Sequence, residues 1–379
     1  MKQYKHAIYK FLLTIIITPT LLFTLIFLYD PLQIFHKPFL RKSTFHSNMR
    51  EQAAGIINNY KFDSILLGTS MLQNTSAEEA SQKLNENFVN LSIAGSDFYE
   101  RAYVLKYALK KHNIKTVIYS LDANAYFQQR TGQKTTIETF KKLYDNNIFN
   151  NFTIYLNTKY IKCLLTLSTN SKCIGDATNL NYPGKWFDNY RDYIRFGGIK
   201  NWFNISLKEE ELNSLNTIVT TINNNKTYTS NTTKSAIKYI NNNIISIVKE
   251  NKNTKFILFF PPYSRLQYAL WAQKDINKFN IHKNIITYLV EKSSDLNNLK
   301  IYAFGKEDFL DNLENYIDLH HYHKNFNSLM LNSFKSQSAL LTKANLEEYL
   351  STITNKSLTY DIYTPAKNIK YYLNNKKLN

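Results

Sequence analysis

The stretch FDSILLGTSMLQNTS, residues 62–76, decides the fold that the sequence predicts. Its apolar run has the length and composition of a buried strand, and it ends abruptly at Gly68, Thr69 and Ser70. Two interpretations of Ser70 follow. It is either an ordinary helix N-cap, or a nucleophile exposed on a strand-to-helix bend. The remaining sequence has to distinguish them.

Strand and helix patterns alternate on both sides of this stretch. Before it, residues 48–60 have the pattern of a helix. After it come a helix (AEEASQKL), a short strand closed by Gly95 (NFVNLSIAG), an amphipathic helix over residues 97–112 and a third strand (KTVIYSLD). The β-α-β-α-β order predicts a parallel sheet covered by helices on both faces.

The same alternation returns in the second half of the chain. We expect a helix near 234–249, a fourth strand (TKFILFFPP), a helix near 282–292 and a fifth strand (LKIYAFG). The predicted fold is α/β, with residues 48–335 as one domain. Residues 128–230, rich in Asn, Thr and aromatic side chains, interrupt it as an insertion or lid. Residues 336–379 are predicted to hold one helix, ANLEEYLSTI, and a polar tail.

The N-terminus carries a long uncharged run. Residues 11–29 contain no charged side chain and are long enough to span the hydrocarbon core of a bilayer. Lysines in residues 1–10 favour a cytoplasmic N-terminus, and no small-residue cleavage site follows at once. We predict an uncleaved signal anchor, a linker over 30–47 and a domain outside the cytoplasm. A cleaved signal peptide and an apolar core helix are the alternatives.

Composition narrows the class of protein. The chain has 379 residues and 44% hydrophobic residues, enough for a sizeable core. Its formal net charge is +18, from 47 Lys and Arg against 29 Asp and Glu. The lysines are scattered and no zinc-ligand spacing occurs, so we predict no nucleic-acid partner. The only two cysteines, Cys163 and Cys173, either pair across a short loop outside the reducing cytosol or stay free.

Polar residues stand where the predicted strands end. Open parallel sheets place their sites at the carboxyl ends of strands. Ser70 and Gly95 stand there, as does the segment Asp122-Ala123-Asn124, and a late loop carries Asp318-Leu319-His320-His321. A serine nucleophile needs a base, and that base needs an orienting acceptor. Asp318 and His321, three residues apart, supply both.

In these blocks the chain resembles the SGNH (GDSL-like) hydrolase superfamily. Gly68-Thr69-Ser70 matches its first block, Gly95 its second and Asp318 to His321 its D-x-x-H block. The third block, G-x-N-D, is half matched, because Asn124 is retained and the glycine is absent. The resemblance covers roughly residues 60–125 and 255–335. It implies a flavodoxin-like three-layer α/β/α fold.

The resemblance also implies roles for the matched residues. Ser70 is the implied nucleophile, His321 the base and Asp318 its partner. The N–H groups of Ser70 and Gly95, with the Asn124 side chain, form the implied oxyanion hole. The membrane anchor makes the chain similar to the branch that modifies envelope polymers, such as alginate and peptidoglycan O-acetyltransferases and the teichoic acid D-alanine transfer protein.

The expected function is therefore that of a serine esterase or O-acyltransferase. We expect an acyl group, most readily acetyl, on an extracytoplasmic envelope polysaccharide or a peptidoglycan-like polymer, with no cofactor and no metal. The expected location is the bacterial inner membrane, single-pass, with a periplasmic domain. A transferase would need a multi-spanning partner to deliver acyl groups. The alternative is a catalytically silent protein of the same fold that binds or assembles envelope polysaccharide.

Three local alternatives accompany this interpretation. His320, His321 and His323 together could bind a metal, although no cysteine or carboxylate cluster accompanies them. His320 could replace His321 as the base, but we expect it to point away from Asp318. Tyr263, Ser264 and Arg265 could line an acceptor groove, and an irregular surface loop is the interpretation we favour for them.

Overall fold

The strands form one sheet at the centre of the molecule. The computed structural model describes residues 2–39, 41–123, 126, 137–223 and 233–376. The strand order is β2-β1-β3-β4-β5-β6, and every neighbouring pair is parallel except β5 with β6. The strands are β1 (Ser64–Leu67), β2 (Phe88–Asn90), β3 (Thr116–Ser120), β4 (Lys255–Phe260), β5 (Leu299–Ala303) and β6 (Leu340–Leu341). The five predicted strands and their parallel pairing are confirmed.

Strands β1 to β4 are buried along almost their whole length, since both faces of the sheet are covered. One group of contacting helices contains α2 (Met49–Asn59), α5 (Phe98–Lys111), α13 (Thr233–Ile240), α14 (Ser246–Glu250) and α16 (Ile276–Asp295), with a π-helical turn over Asn241–Ile245. A second contacting pair is α4 (Ala77–Leu84) and α17 (Asn325–Ser336). The short α3 (Ser70–Gln73) follows β1, and α15 (Arg265–Lys274) follows β4. The mixed α/β class is confirmed.

The predicted insertion folds as a series of short helices. Within residues 137–223 these are α6 (Ile137–Lys142), α7 (Ile148–Phe152), α8 (Thr158–Leu165), α9 (Ser171–Ile174), α10 (Tyr190–Tyr193), α11 (Ile199–Trp202) and the longer α12 (Glu209–Asn223), with a 3₁₀ turn at Thr153–Tyr155. Residues 128–136 and 224–230 of the insertion lie outside the described residues.

The C-terminal region differs from the prediction in two ways. Strand β6 adds an antiparallel edge to the parallel sheet, and a second helix replaces the expected polar tail. That helix, α19 (Tyr363–Lys376), follows α18 (Leu346–Thr359) and packs on α11 and α12 of the insertion. Its buried side chains include Ile369 and Leu373. These apolar residues are spaced among Asn, Lys and Tyr, so the polar composition hid a helical apolar face.

One helix is long and apolar enough to cross a membrane. It is α1 (Lys2–Tyr29); within its segment Tyr4–Tyr29, the most apolar 18-residue window has a mean hydropathy of 2.5 and only 6% of that window is buried. Among the described residues it is the only candidate. Such exposure of an apolar helix distinguishes it from a core helix, which buries its apolar faces.

Helix α1 joins the domain through a buried carboxylate. Asp30 accepts hydrogen bonds from the N–H groups of Ile34, Phe35 and His36 and from the hydroxyl of Tyr155. Burial raises the pKa of this carboxyl, although the donors oppose that effect. The chain therefore turns sharply where α1 ends and is fixed to the insertion at that point.

A disulfide closes the loop beside this junction. Cys163, at the end of α8, is bonded to Cys173 in α9, and their Cα atoms are 5.8 Å apart. Both are buried with Ile174 against Tyr29, the last residue of α1. Of the two interpretations of the cysteines, the paired one agrees with the structure.

The disulfide predicts a thiol count. Labelling of the unfolded, unreduced full-length protein should detect no free thiol, and labelling after reduction should detect two, since the chain has only two cysteines. Replacing both by serine (Cys163→Ser with Cys173→Ser) should lower the free energy of unfolding by about 2–3 kcal/mol, because a short cross-linked loop restricts the unfolded chain. Two thiols detected without reduction would contradict the bond.

Candidate active site

The bend after β1 requires glycine and exposes Ser70. A Cβ atom on Gly68 would lie 2.4 Å from Ser120 Oγ and 2.9 Å from Leu72 Cβ. Thr69 is the N-cap of α3, with its hydroxyl oxygen 3.4 Å from the N–H of Met71, and Ser70 is the first residue of the helix. The N-cap interpretation of Ser70 is therefore wrong, since Thr69 has that role.

Ser70, His321 and Asp318 form a continuous chain of hydrogen bonds. Ser70 Oγ is 2.8 Å from His321 Nε2, although the residues are 251 positions apart. His321 Nδ1 lies 2.7 Å from Asp318 Oδ2. Asp318 Oδ1 accepts from the backbone N–H groups of His320 (2.7 Å) and His321 (2.8 Å). The carboxylate thus fixes the Nδ1–H tautomer and leaves Nε2 to accept the serine proton.

The loop that carries Asp318 and His321 is held by the end of β4. Ser264 donates from both its N–H and its hydroxyl to the carbonyl of Leu319. Tyr316 donates its hydroxyl to the carbonyl of Pro262 and pairs with Tyr322 across the loop. His321 is therefore positioned by the segment that follows β4, and not by its own loop alone.

The insertion holds the same loop from the other side. Arg195 donates to the carbonyl of Ile317, and Trp202 Nε1 donates to the carbonyl of Tyr316 at 2.6 Å. Arg195 and Trp202 are both buried. The insertion is thus part of the scaffold of the site.

Trp186 brings the insertion into contact with Ser70. Its Nε1 donates to the backbone carbonyl of Ser70 at 2.8 Å, and its ring packs edge-on against His321 with 5.4 Å between ring centroids. Asn74 accepts from the backbone N–H groups of Trp186 and Phe187 and so fixes this segment to the turn after α3. Trp186 was not among the predicted site residues. The turn-forming residues around it, NYPGKWFDNY (181–190), were the only signal in the sequence.

Burial and charge shift the pKa values of His321 and Asp318. Burial lowers the pKa of His321, but the charge and hydrogen bond of Asp318 outweigh it and raise that pKa above its ordinary value. Burial raises the pKa of Asp318, yet the charge of His321 and the donors to the carboxylate bring it well below its ordinary value. About 30% of each side chain remains exposed, so a substrate can reach the imidazole.

The neighbouring histidines face other parts of the molecule. The His320 ring packs against Tyr263, with 4.9 Å between centroids, and lines a separate cavity of about 230 Å³ with Trp271 and Lys278. Burial lowers the pKa of His320 to about 4. His323 packs on Phe196. In the part of the chain that the structure describes, no three His, Cys, Asp or Glu side chains are grouped to hold a metal.

The predicted oxyanion groups lie around the bend. As the first residue of α3, Ser70 has an N–H without an intrahelical acceptor. Gly95 adopts a left-handed φ of +62°, which favours glycine. The segment that contains Gly95 lies beside Gly68, because the N–H of Ile93 donates a hydrogen bond to the Gly68 carbonyl at 2.8 Å. Asn124 lies outside the described residues. The oxyanion role of all three stays a prediction.

Asp122 contributes to the site in a way that the sequence analysis missed. Its carboxylate accepts from Thr69 Oγ1 at 2.8 Å and from Ser120 Oγ at 2.7 Å. Arg101 Nη1 lies 3.4 Å from the same carboxylate, and both side chains are almost fully buried. Asp122 was not among the predicted site residues. Its place at the carboxyl end of the third predicted strand, the same sheet edge as Ser70, was the available signal.

The segment after β4 corrects another expectation. Tyr263, Ser264 and Arg265 are all buried, so they form neither a surface loop nor an exposed groove wall. Ser264 caps α15, accepting from the N–H of Gln267, and Arg265 forms an ion pair with Asp311 at 2.7 Å. Three polar or aromatic residues after a Pro-Pro pair suggested a loop, but each has a partner in the core.

Comparison with known proteins gives no match to a family model. A search of curated proteins likewise finds no significant relative.

The pKa shifts predict the titration of His321. In nuclear magnetic resonance spectra of the histidine-labelled full-length protein, the His321 resonance is assigned as the one that is absent from His321→Gln. Its pKa should lie above the ordinary imidazole value of 6.5. In Asp318→Asn its pKa should fall, because the attracting charge is removed. The His320 resonance, assigned as the one that is absent from His320→Gln, should titrate with a pKa of about 4.

The same shifts give the pH range in which the pair stabilises the fold. The Asp318 contribution is present above the ordinary carboxyl value of 3.8 and is lost as the pH falls through its lower folded-state pKa. The His321 contribution is present below 6.5 and is lost as the pH rises through its raised folded-state pKa. A His321 resonance that titrates below 6.5 would contradict the arrangement.

Proposed function

We propose that this chain is a serine-dependent acyl ester hydrolase or O-acyltransferase of the SGNH type, with acyl-Ser70 as its intermediate. The observation that carries the proposal is the hydrogen-bonded chain Ser70–His321–Asp318. It lies at the carboxyl edge of a parallel sheet, where open α/β sheets place their sites. No comparable support favours the silent binding protein.

The proposed reaction proceeds in two steps. Ser70 Oγ attacks the acyl carbonyl while His321 Nε2 takes the hydroxyl proton, and Asp318 stabilises the imidazolium. Collapse of the tetrahedral intermediate breaks the bond to the leaving alcohol, which receives the proton from His321. Water or a sugar hydroxyl then attacks acyl-Ser70, again with His321 as base, and Ser70 recovers its proton. The oxyanion is proposed to bind the N–H groups of Ser70 and Gly95 and the Asn124 amide.

Several features support an envelope glycan as the substrate. The N-terminal helix is long and apolar enough to hold the domain beside a membrane, and a disulfide suits an oxidising compartment. The half-exposed ring of Trp186 beside His321 offers apolar surface to a sugar ring. We propose an inner-membrane anchor, a periplasmic domain and acetyl as the acyl group. A transferase would receive acyl groups from a multi-spanning partner.

Substitution of the triad tests the proposal. In the full-length protein, Ser70→Ala and His321→Ala should each lower turnover of an activated acetyl ester by about 10³-fold or more, since each removes an essential group. Asp318→Asn should be milder. Intact mass spectrometry should find an acetyl adduct on Ser70 in the wild type and none in Ser70→Ala.

The neighbouring histidine is the matched control. His320→Ala should keep most activity, because its ring packs on Tyr263 and not on Ser70. Loss of turnover in His320→Ala with retention in His321→Ala would reverse the assignment of the base. Wild-type turnover in Ser70→Ala would refute the serine mechanism and favour the binding protein. Transfer to a glycan hydroxyl rather than to water identifies the transferase.

The topology has its own test. Lysines before the uncharged run predict that α1 enters the membrane with its N-terminus in the cytoplasm. A phosphatase reporter fused after residue 379 should be active, and a fluorescent reporter that matures only in the cytoplasm should be dark. The reverse pattern would place the domain in the cytoplasm.

A further inference from the structure

Exposed apolar side chains are concentrated around the end of α1. Outside α1, the described residues include nine exposed large aliphatic or phenylalanine side chains. Six of them belong to segments that contact α1 or flank such a contact. We call these six the collar: Phe39, Ile148, Phe149, Leu156, Leu165 and Leu167. Single exposed apolar residues are ordinary on a protein surface, but such a concentration at one place marks an interaction surface.

Part of the collar lies alongside α1, on the N-terminal side of the point where α1 enters the domain. Phe152, in the helix of Ile148 and Phe149, packs edge-on against Phe23 of α1, with 5.1 Å between centroids. Phe23 precedes Tyr29 by six residues, which corresponds to about 9 Å along a helix. Helix α7 therefore lies beside the apolar part of α1 and not beyond it. A membrane crossed by α1 would reach α7 as well.

The other collar residues are joined to α1 by similar contacts. The Phe39 ring packs on His36, which packs in turn on Phe27 of α1. Leu165 and Leu167 are in the disulfide loop, where Tyr29 of α1 donates its hydroxyl to the carbonyl of Ser168. The segments of the collar thus contact α1 at three positions near its end: Phe23, Phe27 and Tyr29.

Backbone geometry indicates that the disulfide loop presents its leucines outward. Leu167 adopts a φ of +44°, a left-handed conformation that is unfavourable for leucine, and its side chain is 61% exposed. Folding alone gains nothing from a strained backbone with an exposed leucine. Burial of that side chain in another medium would offset the strain.

The charges around the collar match a phospholipid surface. Exposed lysines flank it at positions 37, 42, 159, 162 and 172. An apolar surface rimmed by lysine is the pattern of elements that lie in the interface, with apolar side chains among the acyl chains and ammonium groups at the phosphates.

We propose that the collar is immersed in the outer leaflet of the membrane that α1 crosses, where it binds phospholipid and holds the domain at a fixed orientation. The anchor is then α1 together with α7 and the disulfide loop, not a helix on a flexible tether. This proposal rests on the proposed membrane topology of α1 and on the contacts of α1, and not on the chemistry of Ser70.

Depth-dependent quenching of tryptophan fluorescence tests the immersion. The full-length protein is reconstituted in vesicles of phosphatidylcholine and phosphatidylglycerol. The vesicles also contain a lipid whose acyl chain is spin-labelled close to the headgroup. Collar variants Phe149→Trp and Leu156→Trp are compared with Leu329→Trp on α17, after subtraction of the wild-type signal. Leu329 is the matched control for Leu156, because the two residues are 49% and 48% exposed.

The expected result is at least twofold stronger quenching by the spin-labelled lipid at both collar positions than at position 329. Iodide in the aqueous phase should show the opposite order. Since α1 holds every variant on the vesicle, the difference reports depth and not binding. Equal lipid quenching at all three positions would overturn the proposal. It would indicate that the collar is covered by protein, either a second copy or a membrane partner.

Discussion

The buried carboxylate of Asp122 is the interaction on which the geometry of the site depends. It lies between the ends of β1 and β3 and accepts hydrogen bonds from the hydroxyls of Thr69 and Ser120. Arg101 compensates its charge from α5, with its guanidinium over the rings of Phe98 and Tyr119. Breaking such a buried pair typically costs about 3–5 kcal/mol. The same contact sets the conformation of Thr69, and therefore the direction in which the next residue, Ser70, presents its hydroxyl.

The triad then depends on two segments that are distant in sequence. Ser70 is fixed by its strand, by Gly68 and by Asp122, whereas His321 is fixed by the loop after β5. That loop is held by Ser264 and by the insertion through Trp202. Because the insertion binds both the loop and the carbonyl of Ser70, through Trp186, it couples the two halves of the site. Its short helices therefore have a structural reason to be present, whatever substrate reaches Ser70.

The parts of the fold that follow local patterns could be predicted from the sequence. Buried parallel strands appear as apolar runs, and their carboxyl ends share one edge, so the sequence could predict that Ser70, Asp318 and His321 come together. The contacts of Trp186 could not, because its segment has no periodicity and is positioned by Asn74 across the chain. The role of Asp122 could not be predicted, since Asp122 follows β3 whereas its partner Arg101 lies on helix α5. Likewise, the short β6 pairs with β5, and α19 packs on α11 and α12, so tertiary contacts that no local pattern encodes hold both elements.

The anchor and the site share one structural path. Phe45, shortly after the junction at Asp30, pairs with Ala177 as an antiparallel bridge. Trp186, nine positions after Ala177, donates a hydrogen bond to the carbonyl of Ser70. The disulfide loop ends at Cys173, four positions before Ala177, and packs on the last residue of α1. If α1 crosses a membrane as proposed, its position therefore fixes the orientation of the segment that covers Ser70. A substrate attached to the same membrane would meet the hydroxyl from a constant direction, a constraint that a flexible tether could not impose.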